Sequence, residues 1–293
     1  MAQQSTAFYS LGDLAAERRG ANPYARGVEY EERSEGILRY ERLSVSDEEG
    51  ARAIGRPCGH YNTLSTRPFH TLDEGEIREV TEAVERELIN ICLPYLKGEK
   101  RVLIVGLGNR EIAADSVGPR AVTEIRQTAT VKREASALFV RLGCAEIRTL
   151  TPDVESKTGI GAAGLVRAVL GEFGGSAVIA IDALATRSSQ RLCATLQLSD
   201  TGIFPGSGLG LRKEALNEEN LGVPVVAIGV PTVQSSHAFF LEEAERQGIT
   251  DAAVPSAPPI FFCPNTLEED VATAARILSA AINHAFGIDA PKG

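Results

Sequence analysis

Five short apolar runs constrain the fold of this chain more than any other feature of its sequence. The runs lie at 101–107, 137–143, 176–184, 223–230 and 259–263. Helical patterns separate several of them, at 117–128, 162–172 and 236–247. Continuous apolar runs that alternate with helices are typical of a parallel sheet covered on both faces. We therefore predict an α/β fold with a mostly parallel sheet and helices on both faces.

The first hundred residues have a different pattern. Residues 27–45 predict a pair of strands, and residues 60–66 predict another strand. Ser46 and Glu49 have the spacing of a capping box for a short helix between these strands. Because no linker-like segment interrupts residues 27–288, we predict an N-terminal β-rich extension joined to one α/β domain.

Charge and apolar content narrow the functional classes. The chain has 293 residues and a formal net charge of −9. An acidic chain does not bind nucleic acid through bulk electrostatics, although it tolerates a basic polypeptide as a partner. The sequence shows neither a secretory signal nor an apolar stretch of the ~18 residues needed for a membrane span. We therefore predict a soluble intracellular protein that binds neither nucleic acid nor membranes.

The cysteines and histidines do not have metal-binding spacing. The sequence has 5 cysteines and 4 histidines, without a CxxC or HExxH motif. Structural and catalytic zinc sites usually use such closely spaced ligands. We therefore predict no metal and no cofactor, and we interpret the scattered cysteines as small buried apolar residues.

Two of the predicted strands each deliver an aspartate to the edge of the sheet. Asp115 follows the run 101–107 in a loop and helix start, and Asp182 comes directly after "AVIAI". Ligands of open α/β sheets bind at the carboxyl ends of the parallel strands. Two neighbouring carboxylates share one proton, so one can activate water while the other protonates a leaving group. Alternatively, each aspartate caps a helix or a turn, and the pattern leaves both interpretations open.

Glycine-rich loops hold further candidate residues. Asn109, in "GLGN", either donates to a substrate carbonyl or stabilises its own loop. A second glycine-rich loop follows a β-like segment, and its Ser199, Asp200 and Thr201 are candidate substrate-binding residues. The GxGxxG match at 159–164 has no strand directly before it, which argues against a dinucleotide site.

Several stretches of the chain resemble the spore germination protease family. They are 102–122, 177–210 and 221–233, with shorter similar stretches at 27–43, 48–64 and 280–287. The segment "IDALATR" followed by "SDTGIFPGSG" is long and specific to that family. The resemblance covers most of residues 8–237 and then 264–287.

This resemblance implies a fold similar to that of hydrogenase-maturation endopeptidases and an aspartic-type peptidase mechanism. The matching positions for the two catalytic aspartates are Asp115 and Asp182, so the dyad becomes the favoured interpretation. The implied substrates are small acid-soluble spore proteins, degraded when spores germinate. The implied assembly is a homo-oligomer, a tetramer, and the implied location is the cytoplasm of the forespore or the spore core.

The family is also made as a zymogen that removes its own N-terminal segment. Here "GDLAAE" resembles the family's processing site, so the resemblance implies cleavage between Asp13 and Leu14. Residues 1–13 are then a propeptide, and residues 14–293 form a single peptidase domain.

The sequence departs from the family pattern at three places. Gly12 replaces the usual threonine before the processing aspartate, and Gln234 and Ser235 follow "GVPTV" where the family tends to have an aspartate. The segment 238–258 is short for the family. These departures affect the expected substrate choice and oligomer contacts more than the expected dyad.

Two other functional classes compete with this interpretation. A maturation protease of the hydrogenase type, which "GLGNREIAADSVG" also resembles, uses a metal with acidic and histidine ligands. No histidine lies in 102–122 or 176–210, which counts against this class. The other class is a non-catalytic or nucleotide-binding α/β protein, but the acidic residue that a dinucleotide site needs about 20 positions further on is not found.

Overall fold

The computed structural model describes residues 12–92, 94–95, 100–205, 214–249, 252–254 and 257–288. Most of the candidate propeptide 1–13 and part of the second glycine-rich loop lie outside these residues. Within them, no helix is both long enough and apolar enough to cross a membrane.

The described residues form nine strands of one sheet. The strands are β1 (Val28–Glu35), β2 (Leu38–Val45), β3 (Gly59–Ser65), β4 (Arg101–Gly106), β5 (Glu146–Leu150), β6 (Ala177–Thr186), β7 (Thr195–Ser199), β8 (Val225–Ser235) and β9 (Phe261–Phe262). Their order is β1-β2-β3-β7-β8-β6-β4-β5, and β9 pairs with the end of β8.

Four neighbouring strands, β5, β4, β6 and β8, are parallel. Their core is a layer of apolar residues such as Ile104, Ile179 and Ile228, none more than 1% exposed. This half of the sheet confirms the prediction of an α/β fold from continuous apolar runs, because both faces of these strands are covered.

The other half of the sheet is antiparallel. β1, β2 and β3 pair in sequence, and β3 pairs with β7, which in turn pairs with β8. The predicted N-terminal β-rich extension is confirmed, and it continues the central sheet rather than forming a layer of its own. Register pairs such as Tyr61 with Ser199 bring the N-terminal strands next to the parallel half.

Eleven α-helices lie in the described residues. They are α1 (Ala15–Ala21), α2 (Glu48–Ile54), α3 (Glu74–Cys92), α4 (Val117–Glu124), α5 (Ala129–Glu134), α6 (Ser136–Leu142), α7 (Glu155–Thr158), α8 (Ala162–Phe173), α9 (Glu218–Leu221), α10 (Ser236–Arg246) and α11 (Leu267–Ala285). Helices α3, α4 and α11 pack on one face of the sheet, and α8 and α9 pack on the other. The predicted covering of both faces is therefore confirmed.

One predicted strand is a helix. The apolar run 137–143 belongs to α6, which ends at Gly143 in a left-handed conformation. Val140 is 77% exposed, so this run does not have the two covered faces of a central strand. Short apolar runs do not distinguish helix from strand by periodicity alone, and the strand at this edge of the sheet is β5.

The cap of α2 also differs from the prediction. The backbone N–H of Gly50 donates to Oδ1 of Asp47 at 2.8 Å, so Asp47 rather than Ser46 is the N-cap. The hydroxyl of Ser46 instead donates to the carbonyl of Gly27. Both residue types satisfy the free N–H groups of a helix start, and the local turn selects between them.

Candidate active site

Asp115 lies in the loop that follows β4. The N–H of Leu107 donates to the carbonyl of Ile181 at 2.8 Å, so the loop starts against β6. Gly108 has a φ of +109°, and a Cβ there would overlap with the backbone oxygen of Asp115. The N–H of Asn109 then donates to Oδ2 of Asp115 at 2.9 Å. The glycine thus allows the loop to fold back and to hold the half-buried Asp115 carboxylate over the end of β4.

Two further contacts hold this loop against the neighbouring strands. The hydroxyl of Thr232, at the far end of β8, donates to the carbonyl of Ala114 at 2.6 Å. Gly118, in the first turn of α4, lies so close to β6 that a Cβ would overlap with the carbonyl of Ile181. Asp115 is therefore tied to β6 from both sides of its loop.

Asp182 lies on β6 and is 6% exposed. One of its carboxylate oxygens accepts a hydrogen bond from the N–H of Ala183 at 2.9 Å. Side chains alternate along a strand, so Asp182 shares its face with Ala180 and Leu184. Its partner on β8 is Gly229, and the side chain of Leu184 occupies the space where a Cβ of that glycine would lie.

Asp115 follows the carboxyl end of β4, as the sequence predicts, whereas Asp182 lies within the adjacent parallel strand β6, four residues before its end at Thr186, at the edge where β4 stops. Gly106 pairs with Ile181, so the loop that carries Asp115 leaves β4 at the level where β6 reaches Asp182. Two carboxylates at one such edge can share a proton, which is the arrangement needed for acid–base hydrolysis. Their catalytic role stays a prediction.

Asn109 contributes to its own loop. Its Oδ1 accepts from the N–H of Glu111 at 3.0 Å and from Nζ of Lys157 at 2.9 Å. Lys157 also contacts Glu111 at 2.9 Å, and this hydrogen bond raises the pKa of Lys157. The side-chain oxygen of Asn109 therefore has the loop-stabilising role, the second of the two roles considered for it.

Ser199, Asp200 and Thr201 follow one another at the end of β7 but have different surroundings. Ser199 is buried, and with Thr201 it lines a cavity of about 40 Å³. Asp200 accepts hydrogen bonds from the N–H of His60 at 2.7 Å and the hydroxyl of Tyr95 at 3.2 Å. Burial, together with Asp200, raises the pKa of Tyr95 to about 12. Asp200 thus ties β3 to the end of β7, whereas Ser199 and Thr201 face the cavity.

The candidate processing site lies along the end of β6. The N–H of Asp13 donates to the carbonyl of Ala185 at 2.8 Å, and the N–H of Ala185 donates to Oδ2 of Asp13 at 2.9 Å. Gly12 lies against Arg187, and the fully buried Leu14 packs in one apolar cluster with Leu184. The segment 12–14 therefore runs antiparallel to β6, toward Asp182.

The residues after Leu14 are also anchored to the sheet. The N–H of Ala15 donates to Oε1 of Gln197 at 2.7 Å. Gln197 pairs with Gly229, which pairs with Asp182, so these three residues form one row across the sheet. The N-terminal segment thus crosses the row that contains Asp182.

A buried glutamate in α1 completes this anchoring. Glu17 is 8% exposed and accepts from the hydroxyl of Thr186 at 2.5 Å and from the N–H groups of Arg187 and Ser188 at 2.9 and 3.0 Å. Burial raises the pKa of Glu17, although these hydrogen bonds act in the opposite direction. Sequence reasoning missed Glu17 because a lone acidic residue in a short helix carries no motif.

Two arginines hold the backbone of the same segment. Nε of Arg18 donates to the carbonyl of Gly12 at 3.1 Å, and Nη2 of Arg56 donates to the carbonyl of Asp13. Burial and the neighbouring Arg56 lower the pKa of Arg18 to about 10. Sequence reasoning missed both, and the only signal for Arg56 was its place in the family-like stretch 48–64.

The part of the chain that the structure describes contains no group of three or more His, Cys, Asp or Glu side chains arranged to hold a metal ion.

Comparisons with known proteins identify the family of this chain. The model of the germination protease family matches residues 13–244. A germination protease of Caldanaerobacter subterraneus subsp. tengcongensis is 40% identical over 212 residues, 71% of this chain and 63% of that protein. One of Clostridium perfringens is 36% identical over 233 residues, 75% of this chain and 69% of that protein. The chain thus spans about two thirds of the length of these relatives.

A search of solved structures matches the [NiFe] hydrogenase maturation protease HycI of Thermococcus kodakarensis. The match covers 67% of this chain and 99% of that protein's chain, and the sequences are 14% identical. Its TM-score of 0.35 is too low to support a structural conclusion. The family match extends over most of the chain, including both aspartates and the loops that position them. This chain therefore belongs to the germination protease family.

Proposed function

We propose that this chain is an aspartic-type endopeptidase that uses Asp115 and Asp182 to cleave small acid-soluble spore proteins during germination. The observation that carries the proposal is the position of the two aspartates on adjacent parallel strands, with Asp115 in the loop after β4 and Asp182 on β6 at the level where β4 ends. The chain's own Asp13–Leu14 segment lies along the same edge, hydrogen-bonded to Ala185. A carboxylate pair near an extended peptide can supply the general base and the general acid for hydrolysis of a peptide bond.

In the proposed reaction, the ionised member of the pair takes a proton from water, and the water oxygen bonds to the scissile carbonyl carbon. The protonated member then gives its proton to the leaving nitrogen as the C–N bond breaks. The products are a new carboxylate and a new amine, and the pair again holds one proton.

The proposed form of the protein before activation is a zymogen that cuts itself between Asp13 and Leu14. Asp13 is 5% exposed and Leu14 is fully buried, so the segment occupies space that a substrate would need. A tethered segment blocks a cleft effectively even when its own affinity is weak, because its effective concentration is of the order of millimolar.

Spore proteins as substrates are supported by the names of the relatives, which are germination proteases. The acidic net charge of −9 suits a basic partner. The proposed location is accordingly the forespore or spore core, and the proposed assembly is a homo-oligomer, a tetramer.

The test is incubation of the full chain with a purified small acid-soluble spore protein, followed by mass spectrometry of the fragments. We expect a few defined cuts in the substrate and a new N-terminus at Leu14 in the enzyme. The double variant Asp115→Asn/Asp182→Asn serves as the inactive control, and Glu134→Gln, an exposed residue of α5, serves as the matched neutral control. If the enzyme is processed at Leu14 but the spore protein stays intact, the proposed substrate is wrong. If the double variant still cleaves the substrate, the proposed catalytic role of Asp115 and Asp182 is wrong.

A further inference from the structure

The guanidinium of Arg56 bonds to one particular carbonyl of the N-terminal segment. Nη2 of Arg56 donates to the backbone oxygen of Asp13. This oxygen belongs to the peptide bond between Asp13 and Leu14. Leu14 packs in one apolar cluster with Leu184 of β6. Asp182 lies two residues before Leu184 on the same strand, so its Cα is about 7 Å from that of Leu184 along β6. The bonded carbonyl therefore lies beside β6, about two strand residues beyond Asp182.

The local sequence fixes the position of Arg56. Helix α2 ends at Gly55, which has a φ of +64°, and the N–H groups of both Gly55 and Arg56 bond to the carbonyl of Ala51. This glycine-dependent turn directs the residue that follows it back toward the sheet. The Arg56 side chain is 15% exposed, and within the described residues its buried Nε has no hydrogen-bond partner.

We propose that Arg56 is a catalytic residue that polarises the Asp13 carbonyl and stabilises its oxyanion during self-cleavage. This inference rests on the proposed function of the dyad. Water adds its oxygen to the carbonyl carbon of Asp13, and the carbonyl oxygen becomes negatively charged. Collapse then breaks the C–N bond, and the proton held by the dyad goes to the nitrogen of Leu14. Arg56 keeps its protons throughout, because its guanidinium acts only as a donor.

The neighbouring arginine holds the preceding carbonyl of the segment. Arg18 donates to the carbonyl of Gly12 at 3.1 Å, so two consecutive carbonyls of the segment are each held by one guanidinium. This double contact restricts rotation of the peptide unit between them. Both arginines lie after the cleaved bond, so both stay with the processed enzyme.

An ion pair offers a competing explanation for the position of Arg56. Its Nη2 also lies 3.6 Å from Oδ1 of Asp13, so it could serve only to neutralise that carboxylate. The two explanations differ in what happens when the charge of Asp13 is removed. In an Asp13→Asn chain, the backbone carbonyl of residue 13 still needs a hydrogen-bond donor during cleavage. The neutral Asn side chain, in contrast, no longer needs a positive charge beside it.

The experiment uses mass spectrometry to measure the rate at which full-length chains are converted into chains that begin at Leu14. We expect Arg56→Met to slow this rate about 10²- to 10³-fold, the usual effect of losing one oxyanion donor, with the same factor in the Asp13→Asn background. Arg56→Lys should retain part of the rate. The control Arg52→Met removes an exposed arginine of α2, the helix that precedes Arg56, and should leave the rate unchanged.

Chemical rescue separates catalysis from structure. Free guanidinium at millimolar concentration should restore part of the rate of Arg56→Ala, because it can occupy the vacated space, and it should not affect Arg52→Met. Unaltered thermal unfolding midpoints of the variants verify folding. A rate for Arg56→Met equal to that of the parent, or an effect that disappears with Asp13→Asn, would overturn the role of Arg56. Processing that continues in Asp182→Asn would instead overturn the proposed dyad.

Discussion

Gly108, Gly118 and Gly229 each lie where a side chain would fill the space around the two candidate catalytic aspartates. A Cβ on Gly108 would overlap with the backbone of Asp115, and a Cβ on Gly118 would overlap with the carbonyl of Ile181. A Cβ on Gly229 would overlap with the side chain of Leu184, next to Asp182. At the residue scale, the candidate site therefore depends on missing side chains as much as on the carboxylates.

The first prediction concerns the carboxylates themselves. Asp115→Asn and Asp182→Asn should each lower kcat for peptide cleavage by about 10³-fold or more, because acid–base catalysis contributes up to about 10⁴-fold. An amide can neither accept the proton of water nor donate one to the leaving nitrogen. Steady-state kinetics on a spore protein fragment tests this, with circular dichroism to verify the fold. Near-normal turnover in either variant would contradict the dyad.

The second prediction concerns Gly108. Its Ala variant should lose about 2–3 kcal/mol of unfolding free energy, because the backbone conformation is strained for alanine and its Cβ has no room. Gly159→Ala is the matched control, because Gly159 also has a positive φ but has open space around it. That variant should lose only about 1 kcal/mol and keep its activity. Urea unfolding measures both, and equal losses would show that the contact with Asp115 has no influence.

At the scale of elements, hydrogen bonds to the sheet hold the segment that contains the start of α1. Asp13, Ala15 and Glu17 are all anchored to the ends of β6 and β7 through hydrogen bonds. A segment with several simultaneous anchors behaves as a unit. Cleavage at the proposed Asp13–Leu14 bond would therefore remove the contacts of Gly12 and Asp13 and leave α1 attached.

The third prediction concerns pH and Glu17. Burial raises the pKa of Glu17 above its usual value of 4.5, so the folded chain binds more protons there than the unfolded chain. The contribution of this group to stability is then greatest at low pH, and it falls as the pH rises from 4.5 through the raised value. Relative to Glu17→Gln, the parent chain should gain unfolding free energy as the pH drops from 7 toward 4.5. Urea titrations at several pH values measure this difference, and the opposite slope would contradict it.

At the scale of the whole molecule, the candidate site lies where the two halves of the sheet meet. The parallel half supplies Asp115 and Asp182, and the antiparallel half supplies Gln197 and, through the turn before β3, Arg56. Strand β8 is shared by both halves, and its Gly229 lies between Asp182 and Gln197. The N-terminal strands are therefore a structural part of the site.

The fourth prediction separates the aspartic mechanism from a metal-dependent one. Because the proposed chemistry uses two carboxylates and water, incubation of the full chain with a chelator such as EDTA should leave the rate of cleavage unchanged. The control is the same sample after dialysis and addition of zinc or manganese. A complete loss of activity that one metal restores would favour the maturation-type class instead.

Much of the parallel half of the sheet could be predicted from the sequence. The strands at 101–107, 176–184 and 223–230 are continuous apolar runs, and burial of both faces of a strand produces that local pattern. The placement of Asp115 and Asp182 at one edge follows from the same pattern, because parallel strands end on the same side. The run 137–143 was misassigned because a short apolar run is compatible with either helix or strand.

Local pattern in the sequence therefore determined most elements of the parallel half, the faces that they bury and the two strands, β4 and β6, that position the two aspartates. Tertiary structure alone decided which residues meet there. Arg56, Gln197 and Gly229 come together through the pairing of β3 with β7 and of β7 with β8, and these strands are far apart along the chain. Such pairing depends on the total burial and hydrogen bonding of the sheet, which no local periodicity encodes.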